Sequence, residues 1–250
     1  LQLLGESGAT RWLLVHGDGG YQIGQFDGRA FTPDDAQRRF VDCGEYYATQ
    51  TFNNTEHGAG QRRIQMAWMR MSNFPDMPFS QMISFPGELT LRTTPSGPRL
   101  FREPIAEIAN LHQGPPIEFN DLDLRGALQL GARGELFHLV ADVAIPQGSQ
   151  LKLNLRGQRL TLDRNHFQLD HHAADVEQPI TRIELLIDRT SIEIYVNRGE
   201  QTCTHFFLAG GNTLELSAQG PGVRVPKLTL WNLRSAWPPA AAAGQPIRAH

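Results

Sequence analysis

Cysteine is scarce: the 250 residues hold two, Cys43 and Cys203. They lie far apart and among strand-forming residues, which suits two buried thiols better than a metal site or a redox pair. No apolar run approaches the length that spans a bilayer, so no membrane partner is expected. Basic clusters are missing too. With 23 Lys and Arg against 26 Asp and Glu, net charge -3, and the cations scattered, there is no footprint for a nucleic-acid backbone. A neutral partner fits better. The start, which opens on Leu1 instead of Met, lacks the basic, apolar and small-residue order of a signal peptide. Either a leader has been removed or the sequence is a piece of something longer.

Helical periodicity is nearly missing as well, and period-two alternation takes its place. "LKLNLR" sets Leu151, Leu153 and Leu155 on one face and Lys152, Asn154 and Arg156 on the other, the pattern of a strand with one wet side. "SIEIYV", "TLELS" and "KLTLW" read the same way. Turn signals such as "GDGG", "FDGR", "PSGP", "PQGS" and "VNRGE" separate the runs at hairpin spacing. The chain is therefore expected to be all-β. Aromatic-rich strands over residues 1–105 suggest the blades of a β-propeller. Short, strictly alternating strands over 106–235 suggest a β-sandwich, with the boundary near Ile105. Residues 236–250, rich in Pro and Ala, are expected to be a disordered tail.

Several segments carry a family resemblance. "RWLLVHGDGGYQIGQFDGRAFTP", "VDCGEYYATQTF", "RRIQMAWM", "ISFPGELTLR" and "IDRTSIEIYVNRGE" occur in the order found in glycoside hydrolase family 32, the β-fructofuranosidases that include invertases, levanases and inulinases. In "ISFPGELTLR", Gly87 stands where that family usually has Arg. The resemblance implies a five-bladed propeller carrying the active site, followed by a sandwich, and a fructose-containing oligo- or polysaccharide as partner. It implies no cofactor and no metal, and a secreted or periplasmic location. Residues 1–105 would supply only the last blades, whose open edges could self-associate.

Three acidic motifs do the family's chemistry: W-M-N-D-P-N-G with the nucleophile, R-D-P with the transition-state stabiliser, and E-C-P-D with the acid/base. The sequence contains no N-D-P, no R-D-P and no E-C, so no catalytic residue is assigned. By the resemblance the chain begins just after the acid/base position. The expected function is the C-terminal part of a retaining β-fructosidase, inactive alone, the alternative being a non-catalytic fructan-binding or interface module.

Asp42 and Glu45 lie on a stretch, residues 40–52, that reads as one strand. Three positions apart on an extended strand puts side chains on opposite faces, about 10 Å apart. A retaining pair must sit roughly 5 Å apart across the scissile bond, so these two are not expected to be one unless a bulge at Gly44 turns them together. The resemblance places Asp42 at the rim of a sugar pocket, and adds Glu45 and Phe79 as substrate-binding candidates. Among Tyr46, Tyr47, Trp68 and Phe74, Tyr47 and Trp68 are expected to be core. "DHHAAD", residues 170–175, contains two His and two Asp, but adjacent His side chains are expected to diverge on a solvated hairpin. Asn53 heads a glycosylation triplet, meaningful only in a eukaryotic secretory setting.

Overall fold

A computed structural model describes residues 2–4, 10–52, 62–70 and 79–237. The tail from 238 onward, Asn53 and Phe74 lie outside the described residues. Within them the chain is all-β: four antiparallel sheets and a single 3-10 helix, Ala106–Leu111. No helix among the described residues is long and apolar enough to cross a membrane.

The first sheet runs Gln2–Leu4, Thr10–Val15, Gly20–Phe26, Phe31–Pro33, with Arg39–Phe40 beside the third strand. The second runs Gly97–Pro104, Gly87–Thr94, Arg63–Met69, Tyr47–Thr51, with Met82–Ile83 against Arg63–Met69. Leu13, Tyr21 and Ile23 from the first meet Leu89, Leu91 and Leu100 from the second in one small core. The third sheet orders His112–Asp123, Arg224–Leu233, Phe137–Ala144, Arg182–Ile187, Ser191–Val196 and Gln201–Phe206. The fourth orders Leu128–Gln129, Leu214–Gln219, Gln150–Leu155, Gln158–Leu162, His166–Leu169 and His172–Asp175. These two six-stranded sheets share the largest core of the molecule, with Leu139, Ile194 and Leu230 from one and Leu153, Leu160 and Phe167 from the other. Each such side chain taken fully from water contributes about 1.5–3 kcal/mol before entropy is counted.

Alternation predicts this core well, with two departures. Leu151, Leu153 and Leu155 are buried and Asn154 is exposed, as expected for one wet face. Arg156, however, is 2% exposed. The strand ends at Leu155, and Arg156 turns with φ 56°, sending its Nη1 to the carbonyls of Glu135 and Asp188 at 3.1 and 3.0 Å. The second departure decides the architecture of the junction. All six residues of Ser191–Val196 are buried, so the face carrying Ser191, Glu193 and Tyr195 does not meet water. It meets the first half of the chain.

Candidate functional site

The segment before Tyr47 is not a strand continuing into Tyr47–Thr51. Residues 41–46 instead lie along the edge strand Gln201–Phe206, with a parallel bridge between Asp42 and Thr202. Thr202 N donates to the Val41 carbonyl at 2.7 Å, Cys43 N to Thr202 at 3.0 Å, and Glu45 N to Thr204 at 2.7 Å. Glycine makes this approach possible: a Cβ on Gly44 would stand 2.0 Å from the Thr204 carbonyl oxygen. The edge of the third sheet is thus capped by the first half of the chain, which removes an open edge.

Asp42 points into this junction. Its side chain is 1% exposed. One oxygen accepts from Gly44 N at 2.8 Å and Thr204 N at 3.1 Å. The other accepts from the hydroxyls of Thr202 and Thr204 at 2.7 and 2.8 Å and from Arg102 Nη1 at 3.0 Å. Arg102 Nη2 donates to Glu193, itself 1% exposed at the side chain, and to Tyr195 Oη at 3.2 Å. Glu193 also accepts from Phe85 N at 2.5 Å and from Tyr195 Oη at 2.7 Å. The guanidinium lies 4.3 Å from the ring centre of Tyr46 and 5.1 Å from that of Tyr195. One cation thus holds two buried carboxylates under a lid of two aromatic rings. Burial pushes the Glu193 carboxyl above the ordinary carboxylate range against the downward pull of Arg102, and pushes the Tyr46 and Tyr195 phenols up as well.

The three residues singled out from sequence are not brought together around one space. Asp42 is committed to the junction. Glu45 keeps a side chain 29% exposed and turns toward His172, with 3.9 Å between Oε1 and Nε2. Phe79 is 40% exposed. Asp42 and Glu45 therefore face different partners, and Gly44 between them presses against Thr204 without aligning them. Of the aromatics, Tyr46 is the buried one and hydrogen-bonds Gln65 at 2.8 Å, whereas Tyr47, expected in the core, is 38% exposed beside Trp68, ring centres 5.9 Å apart. A bulge between Tyr47 and Gln50, with Ala48 at φ 48°, shifts the alternation and turns Tyr47 outward.

Arg102, Glu193, Tyr195, Thr202 and Thr204 form the junction, and none stands out in a search for catalytic motifs. The available signal was a charge inside an otherwise apolar stretch, Glu193 in "SIEIYV"; Arg102 in "LFREP" stands beside Glu103 and gives no such signal. The two histidines of "DHHAAD" also depart from expectation: their ring centres lie 4.0 Å apart, and His205 joins them at 5.6 and 5.4 Å. Asp170 at φ 52° tightens the hairpin so that the two rings come together.

Residues 13–104 match the N-terminal domain of glycosyl hydrolases family 32, and residues 138–232 match the family's C-terminal region. The chain is 24% identical to the levanase of Bacillus subtilis (strain 168) over 93% of its own length and 41% of the levanase. It is 22% identical to the extracellular exo-inulinase of Aspergillus awamori over 94% of its length and 53% of that protein. The fold resembles the crystal structure of exo-inulinase from Aspergillus awamori, with a TM-score of 0.78 at 19% identity, covering 95% of this chain and 56% of the other. It also resembles the β-fructofuranosidase from Schwanniomyces occidentalis complexed with fructosyl-erythritol, with a TM-score of 0.72 at 19% identity, covering 94% and 59%. The chain spans about half the length of the curated relatives it matches. Two adjacent domain matches in family order, over a fold shared with family structures, make this chain a member of glycosyl hydrolases family 32.

Proposed function

We propose that this chain is the C-terminal portion of a retaining β-fructosidase acting on fructans or sucrose, and that it does not turn over substrate alone. In this reading residues 1–105 are the last blades of a five-bladed propeller and 106–235 a β-sandwich. The observation that carries it is the Asp42, Arg102 and Glu193 triad. The two deeply buried acids of the junction share one guanidinium in a closed interior, where neither can reach an anomeric carbon. Together with the missing N-D-P, R-D-P and E-C motifs, this leaves the junction a structural role: it fixes the sandwich against the blades. Removing even one member of a catalytic set commonly lowers rate by orders of magnitude.

Of the substrate-binding candidates, Phe79 is the one we retain, for its exposed ring and the resemblance of its segment, whereas Asp42 and Glu45 direct their carboxylates to the junction and to His172. Relatives described as extracellular support a secreted parent. An apolar cleft of about 280 Å³ lies on the second sheet between Thr51, Phe52, Met66, Trp68 and Ile83. Phe52 is 49% and Ile83 67% exposed, which fits a blade face awaiting a neighbouring blade and favours self-association when none is present.

The test is fructose release from sucrose, inulin and levan by the purified chain. No release is expected. Turnover at the level of an intact family enzyme would overturn the proposal.

A further inference from the structure

His171 and His172 come from the hairpin that ends the fourth sheet, between His166–Leu169 and His172–Asp175. His205 comes from Gln201–Phe206, the edge strand of the third sheet. One ring nitrogen of each lies within 4.8 Å of the others. His205 is 3% exposed, yet its Nδ1 has no hydrogen-bond partner, and the Nε2 of His172 is likewise buried and unpartnered. Buried polar atoms are nearly always satisfied, so two orphaned nitrogens in one cluster call for a group that would satisfy both.

Two other ring nitrogens of the cluster are held from outside. His171 Nδ1 sits 2.6 Å from an Asp170 carboxylate oxygen, and His205 Nε2 sits 3.4 Å from Gln158 Oε1. A carboxylate or amide on the far nitrogen of an imidazole is the usual outer support of a metal-binding histidine, because it fixes the tautomer that leaves the inner nitrogen free. Glu45 brings a fourth donor, with Oε1 3.9 Å from His172 Nε2. We propose that His171, His172 and His205 bind a divalent transition-metal ion of the zinc type, with Glu45 completing a four-donor site.

Imidazole donors favour zinc, copper or nickel over magnesium and calcium, which prefer oxygen. Zinc to nitrogen bonds of about 2.0–2.1 Å put tetrahedral donors about 3.3 Å apart, so the cluster closes further on binding. His171, 63% exposed at the side chain and on the two-residue turn, is the donor free to move. An ion here would tie the edge of the third sheet to the hairpin of the fourth and, through Glu45, to the first half of the chain.

The full chain, stripped with a chelator, is titrated with Zn²⁺ by calorimetry, and with Co²⁺ while visible d–d bands are recorded. One equivalent is expected to bind, with the bands of tetrahedral nitrogen and oxygen coordination. His171→Ala and His205→Gln should each weaken binding about tenfold or more, the scale of losing a metal-site contact. His166→Ala, whose ring pairs with Asp175 on the same hairpin, should leave it unchanged. If His205→Gln fails to fold, His171→Ala decides, because that side chain lies outside the core. Absence of stoichiometric binding, or binding within about twofold of wild type in His171→Ala, would overturn the proposal.

Discussion

A Cβ placed on Gly87 would stand 2.7 Å from both Cγ and Nε of Arg102. The two residues are diagonal neighbours on paired strands, since Gly87 pairs with Pro104 and Leu89 with Arg102. The bare backbone at 87 is the floor on which the arginine stem lies.

Gly87→Ala should therefore be destabilising. Arg102 is wholly buried and tied at both nitrogen tips, so its stem cannot retreat as a surface chain would. Overpacking of this kind costs about 1–3 kcal/mol and should lower the urea midpoint without altering its slope. Gly126→Ala, in open space, is the control and should stay within about 0.5 kcal/mol of wild type. Equal midpoints for the two variants would show that the arginine stem yields freely.

Arg102→Met should cost more, about 3–5 kcal/mol, because it leaves Asp42 and Glu193 buried without a counter-charge. Neutralising the acids as Asp42→Asn and Glu193→Gln in that background should recover part of the loss. Equilibrium unfolding of the single and combined variants gives the coupling directly. Strictly additive effects would mean that the three groups do not act as a unit.

What could be read from the sequence was what is local. Leu151, Leu153 and Leu155 announce their face because strand side chains alternate whatever lies beyond, and the turns announce themselves through Gly and Asp. Glu193 does not, because its partner Arg102 is 91 positions away and only the docking of the two halves reveals why a polar residue sits among Ile192 and Ile194. The same holds for the histidines: "DHHAAD" is visible, but His205 arrives from another sheet. Residues 40–52 misled as one strand because nothing local shows Gly44 lying against Thr204.

Cys43 and Cys203 are neighbours despite their separation in sequence. Hydrogen bonding to Cys43 and burial push the Cys203 thiol well above its ordinary value, and it is fully buried. A thiol so held is a poor nucleophile. With dithiobis(nitrobenzoate) the native Cys43→Ala variant, which loses that hydrogen bond but keeps Cys203 buried, should show no reactive thiol, and one on denaturation. Rapid labelling of that native variant would mean that the junction opens readily.

His112 should make stability fall in mild acid. Its ring is stacked 4.5 Å from that of Trp231, its Nε2 meets His138 Nδ1 at 2.9 Å, and His138 Nε2 meets Glu184 at 2.8 Å, with Arg182 3.9 Å beyond. Burial and the neighbouring His138 lower the His112 pKa from its ordinary 6.5. The folded state therefore takes up this proton less readily than the unfolded chain. The stability so contributed is complete above 6.5 and is lost as pH falls through the lower folded value. Replacing His112 with Phe keeps a ring to stack on Trp231 and removes the titration. Urea midpoints measured from about pH 7.5 to about pH 5.5 should fall more steeply for wild type than for His112→Phe, and parallel curves would show that His112 does not contribute to the acid sensitivity.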